Sequence, residues 1–333
     1  MRPCSTRVLL ALLTLIPTPL GLRHVFAQGK EQQHTMLVTW FGPGAIELPM
    51  GGDWKLETVN VYDGGRRPVT QFHKGADLTA SFILFENLSG NPTAKGCRDD
   101  VIAPIIQQDA KVVSKQTDGE SKSAAGEAFV TTSFLVEIVP GHHQRNLFGF
   151  AGNEKTCAEI HVSTVAETSN MDGAMNALLL AFNPNLTYKP AAIDYFRIGS
   201  LLFSSAPALA VPYYKSSLAA LPNDTSALTA RRVATDQLVM SLGMSGDMEQ
   251  SRMIAGTAIA GDPDYPINYY NLACIDAEQG DAKGAKEHLK QAFDRRANVL
   301  RGESMPDPTK DDSILKLKGD AEFWAFVKSL PKN

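Results

Sequence analysis

Apolar positions recur along this chain with two different periods, and the change from one to the other falls near residue 190. Upstream, alternation dominates. From Phe129 to Val139 the chain is dense in β-branched and aromatic residues, and Val130, Thr132, Phe134, Val136 and Ile138 alternate onto one face, which predicts a strand. A turn-rich stretch, Pro140 to Gln144, separates it from a second run, Leu147 to Phe150. A Gly152-Asn153 loop then leads to a third run from Cys157 to Val165, so an antiparallel meander is expected. Met36 to Phe41, Trp54 to Tyr62 and Leu78 to Phe85 are further strand candidates, giving about six in all. Two helical segments interrupt them. One covers Arg98 to Gln108, with Asp99 and Asp100 suited to a first turn and Pro104 expected to kink the helix or start a second. In the other, between Asp172 and Phe182, Met175, Leu178, Leu179 and Phe182 recur at helical spacing, and Asn183-Pro184 ends the run.

Downstream the period is helical and the pattern repeats itself. Between Pro266 and Phe293, Tyr269, Leu272 and Ala273 share one helix, Gly280 makes a turn, and Ala285, Leu289 and Ala292 share the next. Small residues at 273 and 285 suit a close crossing of two antiparallel helices, and glycine at 280 supplies backbone freedom at a helix end. Stepping back 34 residues from Leu272, Ala273, Gly280, Ala285, Leu289 and Ala292 gives Leu238, Val239, Gly246, Ser251, Ala255 and Ala258, with Pro263 closing the copy. A third copy places Tyr195 and Gly199 on one helix and Ala210, Tyr214 and Leu218 on another, closed by Pro222. Its step to the next copy is 41, which an extended helix from Leu228 to Leu242 would absorb. This part resembles a tetratricopeptide-repeat array. Short amphipathic runs at Ser313 to Leu317 and at Phe323, Trp324, Phe326 and Val327 would cap it, with Gly302 to Lys310 as a plain linker. The order of elements upstream, from the turn at Leu48 to Asp53 to the helix closing near Phe182, resembles the Mog1/PsbP-type α/β/α sandwich. The expected class is therefore α+β: a mostly antiparallel sheet domain with flanking helices over residues 35–189, then an all-α helical-repeat domain over residues 192–333.

Residues 1–27 read as a signal peptide, followed by a polar spacer over residues 28–34. Arg2 and Arg7 supply the positive start, an apolar stretch runs from Val8 to about Leu22, and Val25-Phe26-Ala27 precedes the expected cut. Pro17, Pro19 and Arg23 keep the stretch short of the ~20 apolar residues of a membrane span, so no span is expected after cleavage. Cys4 lies before the apolar run, the wrong side for a lipid-modified cysteine. The expected location is periplasmic or extracellular. Cleavage removes Arg2, Arg7 and Arg23 and no acid, taking the net charge from −4 to −7; with Lys and Arg dispersed, nucleic acid is not an expected partner. Export would leave Cys97, Cys157 and Cys274 in an oxidising compartment. Cys274 occupies a small apolar position of a repeat and is read as core. Cys97 and Cys157 are candidate disulfide partners, a pairing that depends on a Cα separation sequence does not give; the alternative is a reactive thiol at Cys97, near a helix start.

The sequence holds no His-Glu-x-x-His, Cys-x-x-Cys, Gly-x-Ser-x-Gly, Gly-Lys-Ser/Thr or Gly-x-Gly-x-x-Gly pattern. No catalytic residue, metal ligand or cofactor is expected. His142 and His143, with His73 or His161, are the sharpest metal candidates, but neighbouring side chains on a hairpin diverge and a solvated tip explains the pair. Seven of the eight tyrosines lie downstream of residue 187. Tyr269 and Tyr214 should pack by register, whereas Tyr195, Tyr265 and Tyr270 are candidates to line a concave partner-binding groove. The resemblance to tetratricopeptide proteins implies a scaffold with no chemistry of its own, presenting a groove to a protein or peptide partner. The alternative is an exported enzyme or small-ligand binder with its site in the sheet domain.

Overall fold

The computed structural model describes residues 35–331, apart from 49–53, 63–66, 75–77, 89–90, 110, 124–125 and 166–170. The signal-like segment, the polar spacer and all but the first residue of the Leu48–Asp53 turn lie outside the described residues. The chain divides into a unit over Glu31–Ile198 and another containing Gly199–Asn333.

In the first unit, strands β3 (Trp54–Tyr62), β4 (Arg67–Lys74), β5 (Leu78–Glu86), β6 (Val113–Lys122), β7 (Ala128–Val139), β8 (His142–Gly152) and β9 (Thr156–Thr164) form one antiparallel sheet in the order β3-β4-β5-β9-β8-β7-β6. A smaller sheet joins β1 (Thr35–Val38), β2 (Ala45–Leu48) and β10 (Asn183–Asn185), with β2 in the middle. The expected meander is β7-β8-β9. Ten strands stand among the described residues where about six were expected, and β6 explains part of the difference. Its sequence, VSKQTDGESK, is almost wholly exposed because it is an edge strand, where charge discourages pairing with another chain. Such a strand carries no apolar alternation. The turn also differs: Pro140 and Gly141 alone make it, with Gly141 at a φ of +82°, so His142 and His143 begin β8 rather than sit at a tip.

Helix α1 (Ala94–Gln108) starts earlier than expected because Thr93 caps it, its hydroxyl accepting from the Gly96 N–H at 3.1 Å. Asp99 and Asp100 therefore lie beyond the first turn, and the helix runs through Pro104 without a second start. Its Cys97, Val101 and Ile102 pack on Phe134, Phe148, Phe150 and Cys157. A Cβ at Gly152 would meet the Cys97 Sγ at 2.4 Å and the Thr93 carbonyl at 2.9 Å, so glycine is what lets helix and strand approach. Helix α2 (Met171–Leu180) lies on the opposite face: Leu179 reaches Gly149, whose side alternates with those of Phe148 and Phe150. Helix, sheet and helix make an α/β/α sandwich.

Helix α3 (Ala192–Leu202) spans the division between the units. The rest of the chain is helical: α4 (Pro207–Ala220), α5 (Leu228–Met244), α6 (Met248–Gly261), α7 (Pro266–Glu278), α8 (Ala282–Asp294), the 3-10 turn η (Ile314–Leu317) and α9 (Ala321–Ser329). The α5–α6 and α7–α8 hairpins repeat each other in backbone and cap at their turns. Gly246 and Gly280 have φ of +88° and +78°, and the next residues, Asp247 and Asp281, cap α6 and α8 by accepting from the backbone N–H of Gln250 and Gly284. Ser251, Ala255, Ala285, Leu289 and Ala292 are fully buried at the crossings, and the Ser251 hydroxyl donates to the Val239 carbonyl at 2.8 Å. Gly199 does the same for the first pair, since a Cβ there would lie 2.8 Å from the Tyr214 ring. Phe323 and Val327 of α9 close the core that α7 and α8 build.

Candidate functional site

Helix α7 is buried along nearly its whole length, which an array helix achieves only if something covers its outer side as well. Part of the cover is the segment Gly302–Leu317. The Tyr270 hydroxyl donates to Asp311 Oδ2 at 3.2 Å, the Ser313 hydroxyl donates to Glu278 Oε1 at 2.7 Å, and Lys316 pairs with the other Glu278 oxygen. Met305, Ile314 and Leu317 join the core that contains Tyr265 and Tyr270. Gly302–Lys310 is thus not a plain linker. Pro306 and Pro308 gave it a loop's composition, but Met305 supplies an apolar anchor and Glu303 a polar one.

Glu303 leads to a second cluster, at the start of α7. The Tyr265 hydroxyl donates to Glu303 Oε1 at 2.8 Å, and the Leu300 N–H donates to Oε2 at 2.8 Å. Arg232 of α5 lies 4.6 Å over the Tyr265 ring and holds Asp262 through two bonds of 2.6 and 3.0 Å. Four residues along α5, Asp236 accepts from the Asn271 side-chain amide at 2.8 Å. Burial pushes the Asp236 carboxyl up to about 6, against the pull of the Asn271 bond and with help from the Glu303 charge. Burial also raises Glu303, its bonds from Leu300 and Tyr265 opposing. Burial lifts Asp311 to about 6, although the backbone N–H groups of Ile314 and Ser313 donate to it. Asn268 is 2% exposed, yet its side-chain carbonyl has no hydrogen-bond partner.

Tyr265 and Tyr270, expected to line an open groove, are instead 0% and 1% exposed. Their hydroxyls are taken by acids of the chain's own downstream segment. Tyr195 is half-buried on α3, and burial, with the nearby Asp194, raises its phenol. Tyr214 is buried and Tyr269 packs under the Arg295 guanidinium at 4.4 Å. Cys97 and Cys157 are joined in a disulfide with a Cα separation of 5.7 Å, so Cys97 carries no thiol. Cys274 is buried in the repeat core.

His142 and His143 are successive β8 residues, and His73 is on β4, its side chain outside the described residues. His161 stacks on Phe148 with ring centres 4.1 Å apart, and its Nε2 bonds Asn146 Oδ1 at 2.9 Å. Burial lowers this imidazole to about 4, leaving it neutral near pH 7. Asp99 pairs with Arg98. Among the described residues no group of three or more His, Cys, Asp or Glu is placed to hold a metal ion. No helix there is long and apolar enough to cross a membrane. The acids of the cluster, Asp236, Glu303 and Asp311, were missed in the sequence. One signal was available: the 34-residue step puts Asp236 where the next copy has Tyr270, an acid at an aromatic position.

No protein-family model matches the chain, and no curated protein does. Among solved structures, the tetratricopeptide domain of Sgt2 from Aspergillus fumigatus is similar at 19% identity and a TM-score of 0.31, over 44% of this chain and 88% of that one. The cyanobacterial PsbP protein (CyanoP) from Synechocystis sp. PCC 6803 is similar at 14% identity and a TM-score of 0.32, over 47% of this chain and 96% of that one.

Proposed function

We propose that the helical-repeat unit is a docking surface for a protein or peptide partner, carried by an exported protein that performs no chemistry on that surface. One observation carries the reading: a non-repeat segment, Gly302–Leu317, already lies along α7 by the means a bound peptide would use, with apolar anchors at Met305, Ile314 and Leu317 and polar bonds to Tyr270 and Glu278. Export is supported by the signal-like segment up to Ala27 and by the Cys97–Cys157 bond, which suits an oxidising compartment. The reading is tested with a photo-crosslinking residue placed in the full chain at Met240, on the half-buried face of α5, or at Met253, exposed on α6. A protein captured from Met240 and not from Met253 is the expected result. Equal capture from both would refute it. The mature protein should begin at Gln28 and be found outside the cytoplasm; an intact Met1 in the exported fraction's absence would refute export.

A second reading, a small-ligand site in the sheet unit, is favoured by one feature. On one side of the central strands, Ser81, Asn146 and Ser163 surround the neutral His161 ring. The ring's NMR signals should move on titration with ligand candidates if this reading holds, and should stay fixed if it fails.

A further inference from the structure

The 34-residue step relates two helix faces with different cover. On α7, Ile267, Tyr270, Cys274 and Glu278 are buried or bonded under the chain's own segment. Their counterparts on α5 are Val233, Asp236, Met240 and Met244, which are all partly exposed. Spaced by three and four, these four residues form one stripe along the helix. The stripe is apolar except for Asp236, beside which stands Glu303.

One cation, Arg232, pulls Glu303 down, but burial outweighs it and both carboxyls stay raised. The neighbouring cation, Arg232, is committed to Asp262 by two short bonds. Neither Asp236 nor Glu303 is in a salt bridge among the described residues; their partners are the side chains of Asn271 and Gln237, a phenol and a backbone N–H, all neutral. A third oxygen belongs with them. Tyr265, the residue that caps α7, and Asn268 and Asn271 on it follow one another at three-residue spacing; the first bonds Glu303 and the third bonds Asp236. Asn268 between them is buried with its carbonyl oxygen unpartnered. A buried acceptor with no donor is costly, of the order of 1–3 kcal/mol, and by its spacing this one lies on the side of α7 that holds both acids. Three acceptors and a spare negative charge call for a donor that is a cation.

The geometry points to a docking site on α5 for a peptide segment of a protein partner that places a lysine or arginine in the Asp236–Glu303–Asn268 nook and lays apolar side chains along Val233, Met240 and Met244. The chain itself displays the template: on α7, Lys316 meets Glu278 while Ile314 and Leu317 enter the core beside it. Arginine offers five donors and lysine three, enough to satisfy all three oxygens. Binding a cation there would favour the ionised acids, so affinity rises as pH climbs through the raised carboxyl range. The site deepens the docking reading above and rests on it.

The test uses the full chain and a labelled twelve-residue peptide alternating lysine with leucine, against the same peptide with glutamate for lysine, both followed by fluorescence anisotropy. The lysine peptide should bind more tightly at pH 7.5 than at pH 5, and the glutamate peptide should not bind. Asp236→Asn with Glu303→Gln should weaken the lysine peptide about tenfold, while Met240→Glu should not restore it. Equal binding of both peptides, or an unchanged affinity in the double variant, would overturn the inference. So would stoichiometric calcium binding that the double variant abolishes with no effect on the peptide. If the Met240 crosslink to a partner survives in the double variant, the acid nook is wrong and the docking reading stands.

Discussion

Replacing Asp236 by asparagine should stabilise the helical-repeat unit at pH 7.5 and leave it nearly unchanged at pH 4. The carboxyl is raised from 3.8 to about 6 in the folded protein, chiefly by burial. A raised acid contributes stability that is fully present below its unfolded pKa and lost as pH rises through the folded one, so the loss falls between about pH 4 and pH 7. At 1.36 kcal/mol per unit, a shift of this size corresponds to roughly 3 kcal/mol, reduced to about 2 kcal/mol because the residue is partly exposed. Asparagine keeps an oxygen for the Asn271 amide and removes the titration. Urea unfolding of wild type and Asp236→Asn at pH 4, 5.5 and 7.5, followed by far-ultraviolet circular dichroism, should therefore show a difference that grows with pH. Asp311→Asn should behave in the same sense, since burial lifts that acid to about 6 as well. Asp224 and Asp307, lowered first of all by side-chain hydrogen bonds from Ser226 and Thr309, act in the opposite direction but are unchanged in either variant and cancel in the difference. A difference independent of pH, or one larger at pH 4, would refute the reasoning.

Three more expectations follow from packing and caps. Reducing the Cys97–Cys157 bond, or Cys97→Ala with Cys157→Ala, frees a link 60 residues apart in sequence and should cost about 4 kcal/mol by loop closure, read as a fall in urea midpoint; no change would mean the sheet unit owes it nothing. Gly199→Val should destabilise the first helix pair by about 2 kcal/mol because its Cβ falls 2.8 Å from the Tyr214 ring, and Tyr214→Leu should partly rescue it. Asp247→Ala and Asp281→Ala should each cost about 1 kcal/mol, nearly equal because the two caps are the same structure 34 residues apart; thermal unfolding of each variant checks the equality.

The repeats were legible because close crossings admit few residue types. Gly246 and Gly280, with a left-handed backbone, and Ser251 and Ala285, with no exposed surface, are constrained by sterics, so the step of 34 is written in the residues themselves. The strands β7 and β9 were legible for a related reason: each buries apolar residues on a face. Strand β6 was not, since an exposed edge is selected for charge and leaves no periodic trace. The start of α1 was misplaced because Thr93, its cap, precedes a stretch in which Asp99 and Asp100 imitate a first turn. Tyr265 and Tyr270 were assigned to a groove because register tells which side of a helix a residue occupies and not what covers that side. Their cover comes from acids about 40 residues downstream, in a segment whose prolines made it look like a linker.

Those acids also separate strength from specificity in the way the segment is held. Apolar anchors such as Met305, Ile314 and Leu317 would dock it in several registers, because the hydrophobic effect has no direction. Tyr265 with Glu303 and Tyr270 with Asp311 each satisfy one position only, at the expense of a buried carboxyl that water would hold better. The helix one repeat earlier keeps an acid, Asp236, at the equivalent of Tyr270, and there the segment brings a second acid, Glu303. Its acid carries a desolvation cost of the same kind and is met by a neutral amide, Asn271, which is the physical reason to look for a cationic donor on another chain.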